Sequence, residues 1–434
     1  MPPVRVLPIG GGYASTSVNL STFRHHALVT QAGCQFAAFY VSSAEIRIVR
    51  RRLSDDAIEV GTLSGSFNVA DVHNAISLGV DSNGFVHIAY DHHCDALRYR
   101  RTRRPLDVTD WTDPLPMTGR LEDCVTYPMF LMGSGGARAA RAGGRLLFLY
   151  RHGYAGNGDM CLKEYDPDAQ AWTDLAERFV KGMDQHPWTS NAYWNHPAFD
   201  SRGNLLLSWV WRVVQKASAN GDFIFNHNHG FARSPDGRGW FTSHGVALTL
   251  PMTQVNSEVI WPTPPGATIA NMCSSAADSR DRLHIATYGA QAPDAGPQYQ
   301  HIWFDGSTWR CGTLTRREGK FGLLTWDAPM STPEILIDRD DIVYVIYRCD
   351  ITGNRLVAQR LDPPDYQPAE SVCRLWHEDM GDSEPVVDRV RWAREGVLSM
   401  LLQRTTQPQL MADRDAARVE PVRIADWPPF PGPR

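Results

Sequence analysis

DVHNAISLGVDSNGFVHIAYDHHCDALRYR, residues 71–100, is the stretch from which the fold is read. Ala75–Val80 is an apolar-rich run, Asp81-Ser82-Asn83-Gly84 is a turn, and Phe85–Tyr90 alternates, which together predict a β-hairpin. His73 stands before the first strand, and His92 and His93 follow the second. A hairpin returns its two ends to one side, so these histidines are expected to meet in space.

The second strand of that hairpin recurs along the chain. A polar turn followed by an alternating apolar strand appears as GCQFAAFY (33–40), NGFVHIAY (83–90), GGRLLFLY (143–150), RGNLLLSW (202–209), RDRLHIATY (280–288), DDIVYVIY (340–347) and EGVLSMLL (395–402). Asp81, Asp200, Asp278 and Asp338 introduce four of these strands, as suits a residue whose carboxylate caps backbone N–H groups two positions on. The strand ends lie 50–79 residues apart, enough for a four-stranded sheet in each unit. Seven such units predict an all-β protein, a seven-bladed β-propeller of four-stranded antiparallel blades, spanning 1–434 as a single domain. A pair of sandwiches needs a linker that the sequence does not show, and solenoid repeats are shorter and more regular. Ser234–Trp240 (SPDGRGW) has the form of an Asp-box turn, and CLKEYDPDAQAW (161–172) and HIWFDGSTWR (301–310) read as strand, turn, tryptophan. Little helix is expected.

Composition narrows the function classes. The 434 residues are 43% hydrophobic and 21% charged, with a net charge of −5, which argues against nucleic acid as a partner; Arg100–Arg104 reads as a solvated strand end. The eight cysteines are scattered without a CxxC pair, so neither a disulfide framework nor a zinc ribbon is indicated. No run is long enough for a membrane helix, and the N-terminus lacks a charged-then-apolar leader. On that ground a cytoplasmic setting is expected, or a secreted one if a leader has been removed.

Polar residues gather after the repeated strands: Asp91-His92-His93, Arg151-His152-Gly153-Tyr154, Trp211-Arg212 and Arg348. In a propeller these ends share one face, so His93, Arg151 and Arg212 are expected around one mouth, with Tyr127 leading back to it and Asn191–Pro197 adding Trp194 and His196. The strand histidines His87 and His284 read as structural. His227 and His229, on one strand face, have metal-ligand spacing without a third ligand nearby, and Arg212 and Arg348 also read as ion-pair partners of neighbouring blades. No paired carboxylates for glycoside hydrolysis, phosphate loop or serine elbow is apparent. Arginine, tyrosine and histidine together suit β-elimination at a uronate: fixed positive charge neutralises the carboxylate, a base takes the C5 proton, and an acid protonates the departing O4.

GYASTSVNLSTFRHHALVT (12–30), residues 71–93, TYP (126–128), LYRHGYAGNGDMCLKEYD (149–166), HIWFDGSTWR (301–310) and PEILIDRDDIVYVIYR (333–348) resemble the BNR-4 family of seven-bladed propellers. That family includes ulvan lyases, L-rhamnose-α-1,4-D-glucuronate lyases and a related α-L-rhamnosidase. By motif, the resemblance implies a lyase site of His73, His93, Tyr127 and Arg151. His93 is expected as principal base or acid, Tyr127 as its partner, and His73 with Arg151 as carboxylate binders. Asn74, His92, Trp194, His196 and Arg212 are expected as substrate contacts, with His92 alternatively a support for the turn. The stretch MGSGGARAARAGG between Tyr127 and Arg151 is longer than is usual in the family. The rhamnosidase branch works from a histidine in an F-R-H segment on the opposite face, which His25 matches. The expected activity is therefore a lyase acting on a rhamnose- and glucuronate-containing acidic glycan, most directly at a rhamnosyl-α-1,4-glucuronate linkage. The alternatives are a hydrolase acting through His25 and a non-catalytic carbohydrate-binding propeller. The chemistry needs no cofactor; the resemblance allows a structural calcium or zinc, whose ligands the sequence does not define.

Overall fold

A computed structural model describes residues 4–21, 26–133, 144–215, 223–292, 295–323, 325, 327–409 and 417–427. Seven antiparallel sheets form a seven-bladed β-propeller. The inner strands of the blades are Leu28–Gln31, Ser77–Val80, Val125–Met132, Asn191–Trp194 (continued by Ala198–Phe199), Ser274–Ala277, Glu334–Ile337 and Val386–Val387. Each pairs with the apolar strand that repeats in the sequence. In blade two, Ser77↔Ala89 and Val80↔Val86 close the hairpin.

The aspartates that introduce the repeats make one turn four times. Asp81 accepts from the N–H groups of Asn83 and Phe85 at 2.9 and 3.0 Å, and Asp278 from Arg280 and Arg282 at 3.0 and 2.9 Å. Asp200 and Asp338 repeat this two-then-four pattern. Each carboxylate satisfies donors that the tight turn would otherwise strand. His87 and His284 are buried beside these turns. His87 bonds Tyr99 and Asp81, and His284 bonds His301 and Asp278, so both are structural. The Ser234–Trp240 turn also forms: Asp236 accepts from the Arg238 and Gly239 N–H groups, and Trp240 is buried.

The four-stranded pattern varies locally. Blade two keeps three strands, and beyond Thr102 its outer edge continues as a single bridge to Trp111. The short strand His93–Asp95, which leaves blade two, pairs instead with the inner strand of blade three. That crossing places His93 beside Tyr127. Ring closure uses the two chain ends: Arg5–Tyr13 is the outer strand of blade seven, paired with Val419–Trp427. Polar contacts lock blade one to blade seven. Asp388 accepts from Thr30 and Gln35, and Arg51 pairs with Asp426 at 2.8 Å. The one α-helix among the described residues, Arg389–Glu395, is capped at its N-terminus by Asp388 and ended by Gly396.

Candidate functional site

The site lies where the inner strands begin and the repeated strands end. Asp71 opens the loop before the inner strand of blade two. One carboxylate oxygen accepts from the His73 N–H at 3.0 Å and from His73 Nδ1 at 2.5 Å, and the other accepts from His93 Nδ1 at 2.6 Å. The two imidazoles stack with centroids 4.1 Å apart. An ionised carboxylate only accepts, so each ring donates through Nδ1, and Nε2 becomes its basic position when the ring is neutral. Burial acts to raise the Asp71 carboxyl, but the bonds and charge from His73 and His93 reverse this and hold it far below the usual carboxylate range. His73 is pushed down, chiefly by burial, with Asp71 opposing.

Tyr127 follows from blade three. Its φ is +57°, a left-handed conformation rarely taken by a bulky residue, and the ladder breaks register between Thr126 and Met129. The resulting bulge sets the Tyr127 ring 6.0 Å from His73, with the Arg151 guanidinium 4.9 Å above the ring centroid. Arg151 donates to Gly153 O and Thr126 Oγ1, whereas its buried Nη1 has no hydrogen-bond partner. Side-chain exposure is 32% for His93 and 16% for His73, whereas Tyr127 and Arg151 are each about 1% exposed. The histidines form the outer layer and the tyrosine and arginine the layer beneath.

Two members of this cluster did not stand out in the sequence. Asp71 was visible only as the first letter of D-x-H-N. Tyr193 was hidden in NAYWNHP behind Trp194 and His196. Blade equivalence reveals it: Tyr127 is third in Val125–Met132, and Tyr193 is third in Asn191–Trp194. Blade four thus repeats the tyrosine–arginine pair of blade three, with Arg212 4.9 Å over the Tyr193 ring. The two hydroxyls lie 3.4 Å apart. Arg212 is held by Asn226 at 2.6 Å and Asn271 at 2.5 Å. Burial, then Tyr193, pushes Tyr127 well above the usual tyrosine value, so it keeps its proton. Burial also acts to raise Tyr193, but the charges of Arg212 and Arg151 outweigh it and leave that hydroxyl below the usual value.

The structure corrects four of the expected substrate contacts. His92 is fully buried, accepts from the Arg98 N–H, and is pushed down to about 3 by burial; it is a neutral support for the turn. Asn74 is buried, with its amide donating to Asn68 O, and Trp194 is buried against Tyr127. His196 lies apart, 2.8 Å from His26, and both line a cavity of about 180 Å³. Met132, Phe199, Ala277 and Ile337, at the far ends of the inner strands, also line that cavity. Arg212 does join the cluster, through Tyr193. Arg348 binds Ser383 O, with Asp382 3.9 Å away. His25 and most of the long insertion, 134–143, lie outside the described residues.

Among the described residues, one group of three possible metal ligands lies within reach of one ion, and it is Asp71, His73 and His93. The carboxylate–Nδ1 separations of 2.5 and 2.6 Å are hydrogen bonds. Two ligands each about 2.0–2.1 Å from a zinc ion stand farther apart than that. As arranged, these donors are joined by hydrogen bonds rather than spaced around an ion. No cysteine belongs to such a group among the described residues.

Fold and site together define a seven-bladed propeller with a histidine-bearing, doubly cationic mouth at one end. The chain belongs to the BNR repeat-containing family, whose pattern matches residues 34–317. No curated protein sequence matches it. Among solved structures it is similar to a PL25 ulvan lyase, with a TM-score of 0.72 at 15% identity over 97% of this chain and 95% of that one. A structure of a PL25 ulvan lyase bound to -[GlcA(1-4)Rha3S]- gives 0.69 at 14% identity over 96% and 95%. The polysaccharide lyase Uly1 gives 0.67 at 13% identity over 93% and 89%. The shared feature is the fold.

Proposed function

We propose that the protein is a lyase that cleaves an acidic glycan by β-elimination at a uronic acid, at a rhamnosyl-α-1,4-glucuronate linkage. The observation that carries this reading is the pair of stacked imidazoles sharing Asp71 directly above Tyr127 and Arg151. The glucuronate–rhamnose ligand of the similar ulvan lyase is in keeping with it.

The substrate carboxylate approaches the Arg151 guanidinium and, when its Nε2 also carries a proton, the His73 ring. Neutralising the carboxylate acidifies the C5 proton. His93 takes that proton at Nε2, and Asp71 stabilises the imidazolium that forms. The C5–H electron pair becomes the C4–C5 double bond as the C4–O4 bond breaks, and Tyr127 gives its proton to O4. Solvent then removes the proton from His93 and restores that of Tyr127. The positive charges of Arg151 and Arg212 lie where negative charge grows on the carboxylate.

Mass spectrometry of products from ulvan and from rhamnose-capped glucuronate oligosaccharides tests this. Elimination gives products whose summed mass equals that of the substrate. Products heavier by one water identify a hydrolase instead, and saccharide bound but recovered intact identifies a binding propeller.

A further inference from the structure

Directly beside Arg151 lies a pair of thiols that the proposed chemistry does not use. Cys94 follows His93 and has a left-handed backbone, φ +65°, which turns its side chain into the layer beneath the mouth. Its sulfur accepts from Arg151 Nη2 at 3.4 Å and donates to Gly153 O at 3.5 Å, and its N–H donates to Thr126 Oγ1 at 2.8 Å. Thr126 Oγ1 is also an acceptor for Arg151 Nη2. Cys124 stands on the neighbouring segment, just before the strand that pairs with His93–Asp95. Its carbonyl accepts from the Gly153 N–H at 3.1 Å, so both cysteines are tied to Gly153, and its thiol is raised by burial and then by the neighbouring Cys94 sulfur. Both cysteines are reduced, and Cys94 is partly open to solvent while Cys124 is buried.

We propose that Cys94 and Cys124 are an oxidisable pair whose disulfide withdraws a partner from Arg151. Hydrogen peroxide attacked by the Cys94 sulfur loses its O–O bond, giving a sulfenic acid and water. Cys124 then displaces the hydroxyl as a second water, and an S–S bond replaces the two S–H bonds. The Cys94 sulfur turns toward Cys124, and Arg151 Nη2 loses that contact next to an Nη1 that already lacks one. The guanidinium then leaves its seat over Tyr127. A dithiol reductant reverses the change. The effect on catalysis rests on the proposed role of Arg151; the cross-link itself does not.

The test treats the full chain with hydrogen peroxide, removes the excess, and maps peptides without reduction. The expected result is a Cys94–Cys124 linked peptide that dithiothreitol abolishes. Hydrogen exchange in 149–154 should rise on oxidation and fall on reduction, and activity on the uronate glycan should drop at least tenfold and recover. Cys124→Ser should keep its activity when reduced, form no link, and show no reversible change in exchange. A wild-type chain that forms no 94–124 link overturns the proposal, as does a linked chain with unchanged exchange at 149–154. If no glycan is cleaved, the lyase reading fails while link and exchange still decide the fate of the thiol pair.

Discussion

Asp71 sets the proton positions of two histidines at once, because each Nδ1 has the same carboxylate to donate to. Asp71→Asn removes the acceptor that stabilises an imidazolium and allows the wrong tautomer. Turnover should fall roughly 10²–10⁴-fold, the usual scale of a disabled general base, with a smaller change in KM. A second expectation concerns Tyr193, which Arg212 and Arg151 pull below the usual tyrosine value against its burial. It deprotonates before Tyr127 as pH rises, and its phenolate then repels the substrate carboxylate and holds the Tyr127 proton. The alkaline fall in kcat/KM should therefore move to higher pH in Tyr193→Phe; an unmoved limb would show that Tyr193 does not control it. His93 and Arg151 were legible in the sequence because they follow recurring strands, and His73 and Tyr127 through the D-x-H-N and T-Y-P motifs of the family resemblance. Tyr193 was not, because strand parity had to be known before it could be separated from Trp194. Asn74 and Trp194 misled for the converse reason: residue type gave chemistry, but only packing revealed that they are buried, whereas His92 takes its alternative role as a support for the turn.

The repeated strand with its aspartate turn was readable because it is local. The turn carboxylate satisfies donors two and four residues on, so the whole device fits within one window of sequence. The transfer of His93–Asp95 to the next blade's sheet was not readable, since pairing across blades depends on tertiary geometry. Nor was the capping of Arg389–Glu395, where Asp388 serves both the helix and blade one. Asp388 is fully buried, and burial raises its carboxyl above the ordinary value despite bonds from Thr30, Gln35 and the Arg391 N–H. A folded-state value above the unfolded one means that the folded chain binds the extra proton. Stability from this group is therefore full below the ordinary value of about 4 and declines as pH rises toward the folded-state value. Asp388→Asn should remove that decline: urea unfolding should show the variant losing less stability than the wild type between about pH 4 and neutrality. Parallel profiles would contradict this.

At the scale of the molecule, seven repeats made the ring legible, but not how it closes. Closure joins residues nearly the full chain apart, and Arg5–Tyr13 has no sequence cue naming Val419–Trp427 as its partner. Arg51 sits at that seam, about 1% exposed, bridging Asp56 in blade one and Asp426 in blade seven. Arg51→Ala leaves those carboxylates with less compensation. It should cost about 3–5 kcal/mol in denaturant unfolding, the scale of a broken buried pair. A loss under about 1 kcal/mol would mean that the other contacts across the seam, Arg5 on Asp56 and Asp388 with Thr30 and Gln35, hold it without Arg51. The central claim is that this closed ring presents His93 and Tyr127 to a uronate for elimination. Ultraviolet absorbance during incubation with rhamnosyl-glucuronate glycan tests it most directly, because elimination conjugates a new C4–C5 double bond to the carboxylate. A steady rise is expected with the wild type and none with His93→Ala. Release of shorter saccharides by the wild type without any rise in absorbance would contradict it.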